Sequence, residues 1–149
     1  MPVANVKSSW SGGKLVFEDK ASGTALLTLD GPNAAVTVGA SASLTEPFAV
    51  ASADGAVTLK SGTVYITKGS AAALTIADPT ATTDDGKTLT VVATTAHAHT
   101  LSNAAGSGFN AGGASVDVGT FGGAKGDCIT ITAYQGDWYV TNSINVTLA

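Results

Sequence analysis

The stretch that decides the fold lies near the middle of the chain and is Ala73-Leu-Thr-Ile-Ala-Asp-Pro-Thr80, followed by Asp84-Asp-Gly-Lys-Thr-Leu-Thr-Val-Val92 and Ala98-His-Thr-Leu101. Polar and apolar residues alternate within these pieces, which is typical of strands with one buried face. Asp, Pro and Gly between them favour tight turns. The stretch therefore predicts consecutive short β-strands, and it contains no recognisable catalytic constellation.

The rest of the chain follows the same pattern. Lys14-Leu-Val-Phe-Glu18 and Ala25-Leu-Leu-Thr-Leu29 flank a Gly-containing segment and predict a hairpin. The turn Gln135-Gly136-Asp137 predicts another hairpin near the end of the chain. No window of a dozen residues places bulky apolar side chains at helical spacing. We therefore predict an all-β protein whose short antiparallel strands form a sandwich, a barrel or a prism-like trimeric body.

The strand pattern breaks at Thr45-Glu-Pro47, which suggests two parts. We predict an N-terminal β unit over 1–55 and a C-terminal β module over 56–149; without a clean linker, the two could also pack as one body. Of the 149 residues 44% are hydrophobic, but Ala, which buries little surface, supplies much of this fraction. Because so little bulky apolar mass stabilises a monomer weakly, the composition favours self-association.

The charge of the chain argues against nucleic-acid binding. The chain has 7 basic residues, all Lys, and a net charge of −4, whereas nucleic-acid binders carry basic stripes and use Arg for paired contacts. No stretch approaches the roughly 18 apolar residues of a membrane span, and no signal peptide is recognisable, so we expect neither a membrane partner nor secretion. The single Cys128 cannot form an intrachain disulfide, which fits assembly in a reducing cytoplasm.

Two histidines are the candidates for a metal site. His97 and His99 are two residues apart, so on a strand both side chains would lie on one face. No Asp, Glu or Cys lies nearby at ligand spacing. The sequence leaves open whether the pair binds a metal or forms ordinary hydrogen bonds, and we expect no cofactor.

The acidic residues favour structural roles. Asp78, Asp84 and Asp85 surround a turn, and turn chemistry explains them better than a calcium loop, for which ligands are missing. Glu18 and Asp19 are adjacent, so on a strand they point to opposite faces and cannot both face one glycosidic bond. The sequence also lacks a nucleophile elbow and a phosphate-binding loop. We predict that the protein is not an enzyme.

The C-terminal part contains six short pieces in a fixed order: Ala-Leu-Thr-Ile-Ala-Asp-Pro (73–79), Asp-Asp-Gly-Lys-Thr-Leu-Thr (84–90), Ala-His-Thr (98–100), Gly-Phe-Asn (108–110), Thr-Phe-Gly-Gly-Ala-Lys-Gly-Asp (120–127) and Trp-Tyr-Val (138–140). In these pieces and their order it resembles a module of head-decoration and head-fibre proteins of tailed bacteriophages. Residues 3–17 are similar to the start of capsid-associated proteins of such phages. The resemblance implies a homotrimer on the outer capsid surface, assembled in the host cytoplasm, with the major capsid protein as its partner and no active site.

On this interpretation the N-terminal region contacts the capsid. We predict that Val6, Lys7, Trp10 and Lys14 form the contact. Trp10 is the main candidate, because a large apolar ring near a chain terminus suits docking as well as core packing.

The alternative is a head-fibre or tail-associated module that binds host surface glycans. The Gly- and Asn-rich loop 102–113 would then be exposed, and Asn103, Phe109 and Asn110 would contact the partner.

Overall fold

The computed structural model describes residues 6–32, 35–38 and 46–149. These residues form fourteen strands and one short 3-10 helix, Gly113–Ser115. The all-β prediction is confirmed. Among the described residues no helix has the length and apolar character needed to cross a membrane. The chain divides into two compact units, Met1–Thr45 and Glu46–Ala149.

The first unit contains one antiparallel sheet with the strand order β1-β2-β3-β4. Its strands are β1 (Val6–Ser11), β2 (Lys14–Asp19), β3 (Ala25–Asp30) and β4 (Ala35–Val38). The hairpin predicted around 19–24 is present as β2 and β3. Its loop is held by the Asp19 carboxylate, which accepts hydrogen bonds from the backbone N–H groups of Ala21 and Ser22 at 2.9 and 2.7 Å. Local turn chemistry therefore places these strands side by side.

The second unit contains two five-stranded sheets, which we call sheet I (β13-β12-β9-β7-β5) and sheet II (β14-β11-β10-β8-β6). The strands are β5 (Phe48–Ala51), β6 (Gly55–Val57), β7 (Gly62–Ile66), β8 (Ala73–Ile76), β9 (Thr88–Ala93), β10 (Thr100–Ser102), β11 (Val118–Phe121), β12 (Cys128–Tyr134), β13 (Asp137–Ile144) and β14 (Val146–Leu148). Residues 48–55, which we predicted to lie in the N-terminal unit, enter strands that pair with β7 and β8.

The chain passes from one sheet to the other after each strand from β5 to β9. As a result β5, β7 and β9 pair in parallel in sheet I, and β6, β8 and β10 pair in parallel in sheet II. The prediction of antiparallel strands is therefore wrong for these four pairings, although it holds for the hairpins that follow. Alternating residues identify a half-buried strand but do not show the direction of the strand that pairs with it. Here two paired strands are separated in the chain by a strand of the other sheet, which allows both to run in the same direction.

Both sheets contribute side chains to one hydrophobic core. Every second residue of β9 and β12 is buried, as in Leu89, Val91, Ile129 and Ile131, since side chains alternate between the faces of a strand. Sheet II adds Leu74, Ile76, Leu101 and Phe121 to the same cluster. The large rings of Phe109 and Trp138 complete it. The buried hydrophobic residues among those described all lie in the second unit.

Candidate functional site

The four residues predicted to contact a capsid lie on the first two strands of the N-terminal sheet. Val6, Lys7 and Trp10 are on β1, and Lys14 begins β2. Val6 and Trp10 share one face, whereas Lys7 and Lys14 lie on the other, because alternate residues point to opposite sides. The structure therefore does not bring the four residues together on one surface.

The two lysines are engaged within the sheet. Lys7 Nζ lies 3.0 Å from a carboxylate oxygen of Glu18, and Lys14 Nζ lies 2.8 Å from one of Asp30. Both pairs cross between neighbouring strands. Opposite charges at such positions support strand pairing, so these lysines have a structural role that the sequence analysis did not foresee.

The other side of the sheet is apolar, and we call it the N-terminal apolar face. Trp10 pairs with Leu15, Leu15 with Leu29, and Leu29 with Val36, so one row of large apolar side chains crosses all four strands. Phe17 and Leu27 pair beside it and complete the face.

The outer members of this face are open to solvent. Trp10 is 69% exposed and Val36 is 68% exposed. Monomeric proteins rarely leave contiguous large apolar side chains uncovered, and such patches mark contact surfaces. The sequence analysis identified Trp10 and missed Leu15, Leu29 and Val36. The period-two pattern of each strand contains the signal, but the strand register is needed to align the residues in one row.

The predicted exposed loop is exposed over 104–106 and 110–112, but two of its three candidate contact residues are buried. Asn103 and Phe109 are both 0% exposed, so the prediction that they contact a partner from an exposed loop is wrong. The backbone N–H of Phe109 donates to Val116 O at 2.7 Å, and its ring is part of the core. Asn103 Oδ1 accepts from the backbone N–H of Gly108 at 3.3 Å, which holds the loop closed. Gly residues allow the backbone to fold this tightly. The composition of the loop did not show that these two side chains would be buried.

Asn110 is exposed, but it also attaches the loop to the body of the unit. Its φ of 57° is left-handed, a conformation that Asn tolerates well. Its backbone N–H donates to Trp138 O at 2.7 Å, and its Oδ1 accepts from the backbone N–H of Val140 at 2.8 Å. These bonds hold the loop against β13.

The histidine pair lies outside the strands. His99 is fully buried, and its Nδ1 accepts a hydrogen bond from the backbone N–H of Ala72 at 3.0 Å. Its Nε2 lies 3.1 Å from Thr95 Oγ1 and 3.3 Å from Thr95 O. Both ring nitrogens of His99 are thus engaged by protein groups. The described residues contain no group of three His, Cys, Asp or Glu side chains that could hold a metal ion.

The acidic residues of the central turn connect it to other segments. Asp78 accepts hydrogen bonds from the backbone N–H of Ser107 at 3.1 and 3.2 Å, and Asp85 accepts one from Gln135 at 2.7 Å. The turn is thereby joined to the loop 102–113 and to the β12–β13 hairpin.

Asp84 is the acidic residue of this turn that accepts hydrogen bonds from two lysines. Its carboxylate accepts hydrogen bonds from Lys60 Nζ at 2.8 Å, from Lys87 Nζ at 2.6 Å and from the backbone N–H of Thr80 at 2.7 Å. These donors hold the pKa of Asp84 well below its usual value, in that order of importance. The ionised carboxylate therefore connects the turn to Lys60, which lies in a different segment of the chain.

An open groove of about 310 Å³ lies between the edge strands β5 and β6. Its lining includes the apolar side chains of Val57, Leu59, Val64 and Leu74. Asp54 is the acidic residue of the lining, and it is paired with Lys68 at 2.7 Å and accepts the backbone N–H of Ala73. The groove thus has an apolar floor, and its carboxylate already has partners.

Comparison with known proteins finds no match to this chain among protein-family models, curated proteins or solved structures.

Proposed function

We propose that the protein is a structural virion protein that decorates and stabilises a phage capsid as a homotrimer on its outer surface. The observation that carries the proposal is the N-terminal apolar face, an amphipathic sheet with large uncovered side chains on one side. The resemblance of the sequence to head-decoration and head-fibre modules supplies the class of partner, which is the major capsid protein.

The proposed attachment uses the N-terminal apolar face, which contains Trp10 of the four residues predicted from the sequence but neither Lys7 nor Lys14. Trp10 and Val36 are available for contact, whereas Lys7 and Lys14 are paired on the opposite side. Trp is one of the residues enriched among those that dominate binding energy at interfaces. Burial of its ring against a capsid subunit would remove about 200 Å² of surface from water.

The mechanism is mechanical. A trimer presents three such faces, so the second and third contacts form at high effective concentration and modest single contacts give tight retention. If the faces bind only the mature, expanded shell, they stabilise it by mass action.

The test is co-sedimentation of the full chain with expanded capsids that lack their decoration protein. The Trp10→Ala substitution removes the largest exposed side chain of the face. We expect each contact to lose about 2 kcal/mol of binding free energy, which lowers its affinity roughly 30-fold. Unchanged retention of this variant would contradict the proposed attachment.

A matched pair of charge substitutions on β4 separates the two faces of the sheet. Val36 lies on the apolar face, and the adjacent Thr37 lies on the opposite one. We expect Val36→Asp to abolish co-sedimentation and Thr37→Asp to retain it. Equal effects of the two substitutions would mean that the face is not the contact surface. Deletion of residues 1–13, which removes β1, is expected to abolish binding while the second unit stays folded.

The glycan-binding alternative has less support from the placement of its residues. Phe109, the aromatic side chain that would stack on a sugar, is buried in the core, and Asn103 is also inaccessible. A screen against host surface glycans that identifies a ligand, together with capsids that do not bind the protein, would favour the alternative.

A further inference from the structure

The outer face of sheet I carries an unbroken apolar row. Val50 pairs with Tyr65, Tyr65 with Val92, Val92 with Cys128, and Cys128 with Ile144. The row therefore crosses all five strands, from β5 at one edge to β13 at the other. On β5, β7, β9 and β12 these side chains point away from the core, because their neighbours along the strand pack into the core or against it. Ile144 extends the row on β13 through its pairing with Cys128.

Three members of this row are strongly exposed. Val50 is 57%, Tyr65 is 40% and Ile144 is 55% exposed, while Cys128 is half-buried. Phe48 lies beside the row at 64% exposure, and its ring centroid is 6.4 Å from that of Tyr65 in an edge-on contact. Together they form a contiguous apolar surface.

The neighbouring rows of the same face are uncharged. One row contains Phe48, Thr63, Thr90, Thr130 and Asn142, and another contains Thr88, Thr132 and Tyr139. Thr hydroxyls pair across β9 and β12, at 3.1 Å for Thr90 and Thr130 and at 3.2 Å for Thr88 and Thr132. Because these hydroxyls already have partners, covering them costs less than covering free polar groups.

The outer face of sheet II provides an internal comparison. Its cross-strand rows contain small residues such as Ala73, Thr75, Thr100 and Thr120. The exposed large hydrophobic residues of the described chain include none from the strands of sheet II. The two outer faces of one unit thus differ in apolar character, although both are made of short strands of similar composition.

We propose that copies of this chain associate with one another through the outer face of sheet I. This inference rests on the part of the proposed function that makes the protein a homo-oligomer, and it does not depend on the capsid. The three rows contain no charged side chain, so two such faces can meet without burying an unpaired charge. Another copy of the chain supplies the same three uncharged rows. The charged side chain of Asp137, which pairs with Tyr134, lies beyond them at the hairpin end of β12 and β13.

The dimensions of the face are sufficient for association. Five strands at a spacing of about 4.8 Å span about 24 Å, and six residues at about 3.3 Å each span about 20 Å. The face therefore covers roughly 500 Å², and two copies would bury roughly 1,000 Å², which is the lower limit for a specific interface. In a trimer the same face of each copy would be divided between two neighbours around the axis, and the three faces together would bury roughly 1,500 Å².

The test is the mass of the full chain in solution, by light scattering after size exclusion over a range of concentrations. We expect the wild type to have the mass of three chains, the Tyr65→Lys variant that of one, and the Thr120→Lys variant that of three. Thr120 is the matched control, since it lies on the outer face of sheet II. Val50→Lys, on edge strand β5, repeats the test if Tyr65→Lys does not fold by circular dichroism. A multimeric lysine variant of the row, or a wild type that is monomeric throughout, would overturn the inference.

The native Cys128 gives a second readout without any substitution. It lies within the row, between Val92 and Ile144, so association should cover its thiol. We expect the rate of its reaction with a small disulfide reagent to be at least tenfold lower in the concentrated wild type than in Tyr65→Lys. Equal rates in the oligomer and in the variant would contradict the assigned face.

The outcomes separate this inference from the capsid proposal. If Tyr65→Lys is monomeric but the wild-type oligomer does not sediment with capsids, self-association through sheet I holds and the proposed function fails. If Tyr65→Lys stays multimeric and still binds capsids, the proposed function holds and the assigned face is wrong.

Discussion

Replacement of Trp138 by Phe should destabilise the second unit substantially. Trp138 lies on β13 and is 0% exposed. Its indole Nε1–H donates to Ala77 O at 2.9 Å and thereby connects β13 to the segment that follows β8. Phe keeps one ring in the core but removes the donor and part of the volume.

The magnitude follows from these two losses. Removal of the donor costs about 1 kcal/mol, at the low end of the usual range because Ala77 is exposed to solvent. The missing ring atoms cost about 1 to 2 kcal/mol in lost burial and cavity formation. The sum is about 2 to 3 kcal/mol, against a total stability of about 5 to 15 kcal/mol for a domain. The melting temperature should fall by roughly 10 to 20 °C.

Urea denaturation followed by circular dichroism measures this change, provided that the slope of the transition is unchanged. Trp10→Phe is a matched control, because it makes the same chemical change at a side chain that is 69% exposed. The control should stay within about 0.5 kcal/mol of the wild type. A Trp138→Phe variant that also stays within this limit would refute the assignment of Trp138 as a central core residue.

Two further predictions concern the turn at residue 84 and the backbone at residue 62. Asp84 is held ionised by hydrogen bonds from Lys60 and a second lysine, so its pKa in the folded protein lies below its usual value near 3.8. The contribution of Asp84 to stability is present above about pH 4 and is lost as the pH falls below that value. The Asp84→Asn variant should therefore be less stable than the wild type at pH 7 and should lose less stability on acidification. An acid transition as steep as that of the wild type would contradict this. Gly62 has φ +103° and its Cβ position is occupied by the backbone carbonyl of Pro47, so Gly62→Ala should cost more than about 2 kcal/mol in urea denaturation. Gly69→Ala has free space and no positive φ, so an equal loss there would show that the strain argument is wrong.

The N-terminal hairpin shows what local patterns could predict. Apolar residues alternate in 14–18 and 25–29, and the segment between them contains Asp19, whose carboxylate holds the loop. Both signals depend on residues close in sequence, so the hairpin was predicted from them. The candidate surface is different, because Trp10 and Val36 share a row only through the registers of β2 and β3.

The loop 102–113 shows how composition can mislead. Its Gly, Asn and Ser residues suggested an exposed loop, but Phe109 enters the core and Asn103 is buried with its Oδ1 on a backbone N–H. Burial depends on which distant segments surround a residue, and no local pattern in the loop reports this. Asn110, the third predicted residue, is exposed yet is used to attach the loop to β13.

The sequence by itself determined the all-β class, the turns and the positions of most strands, because the alternation of side chains and the turn residues are local properties. Only the tertiary structure decided that β5 to β10 alternate between two sheets and pair in parallel. It also decided which apolar residues are left in rows on the surface: the row that contains Tyr65 and Cys128 joins residues from 50 to 144, far apart in the chain. Such rows depend on the register between strands, which is set by the packing of the whole core rather than by any one segment.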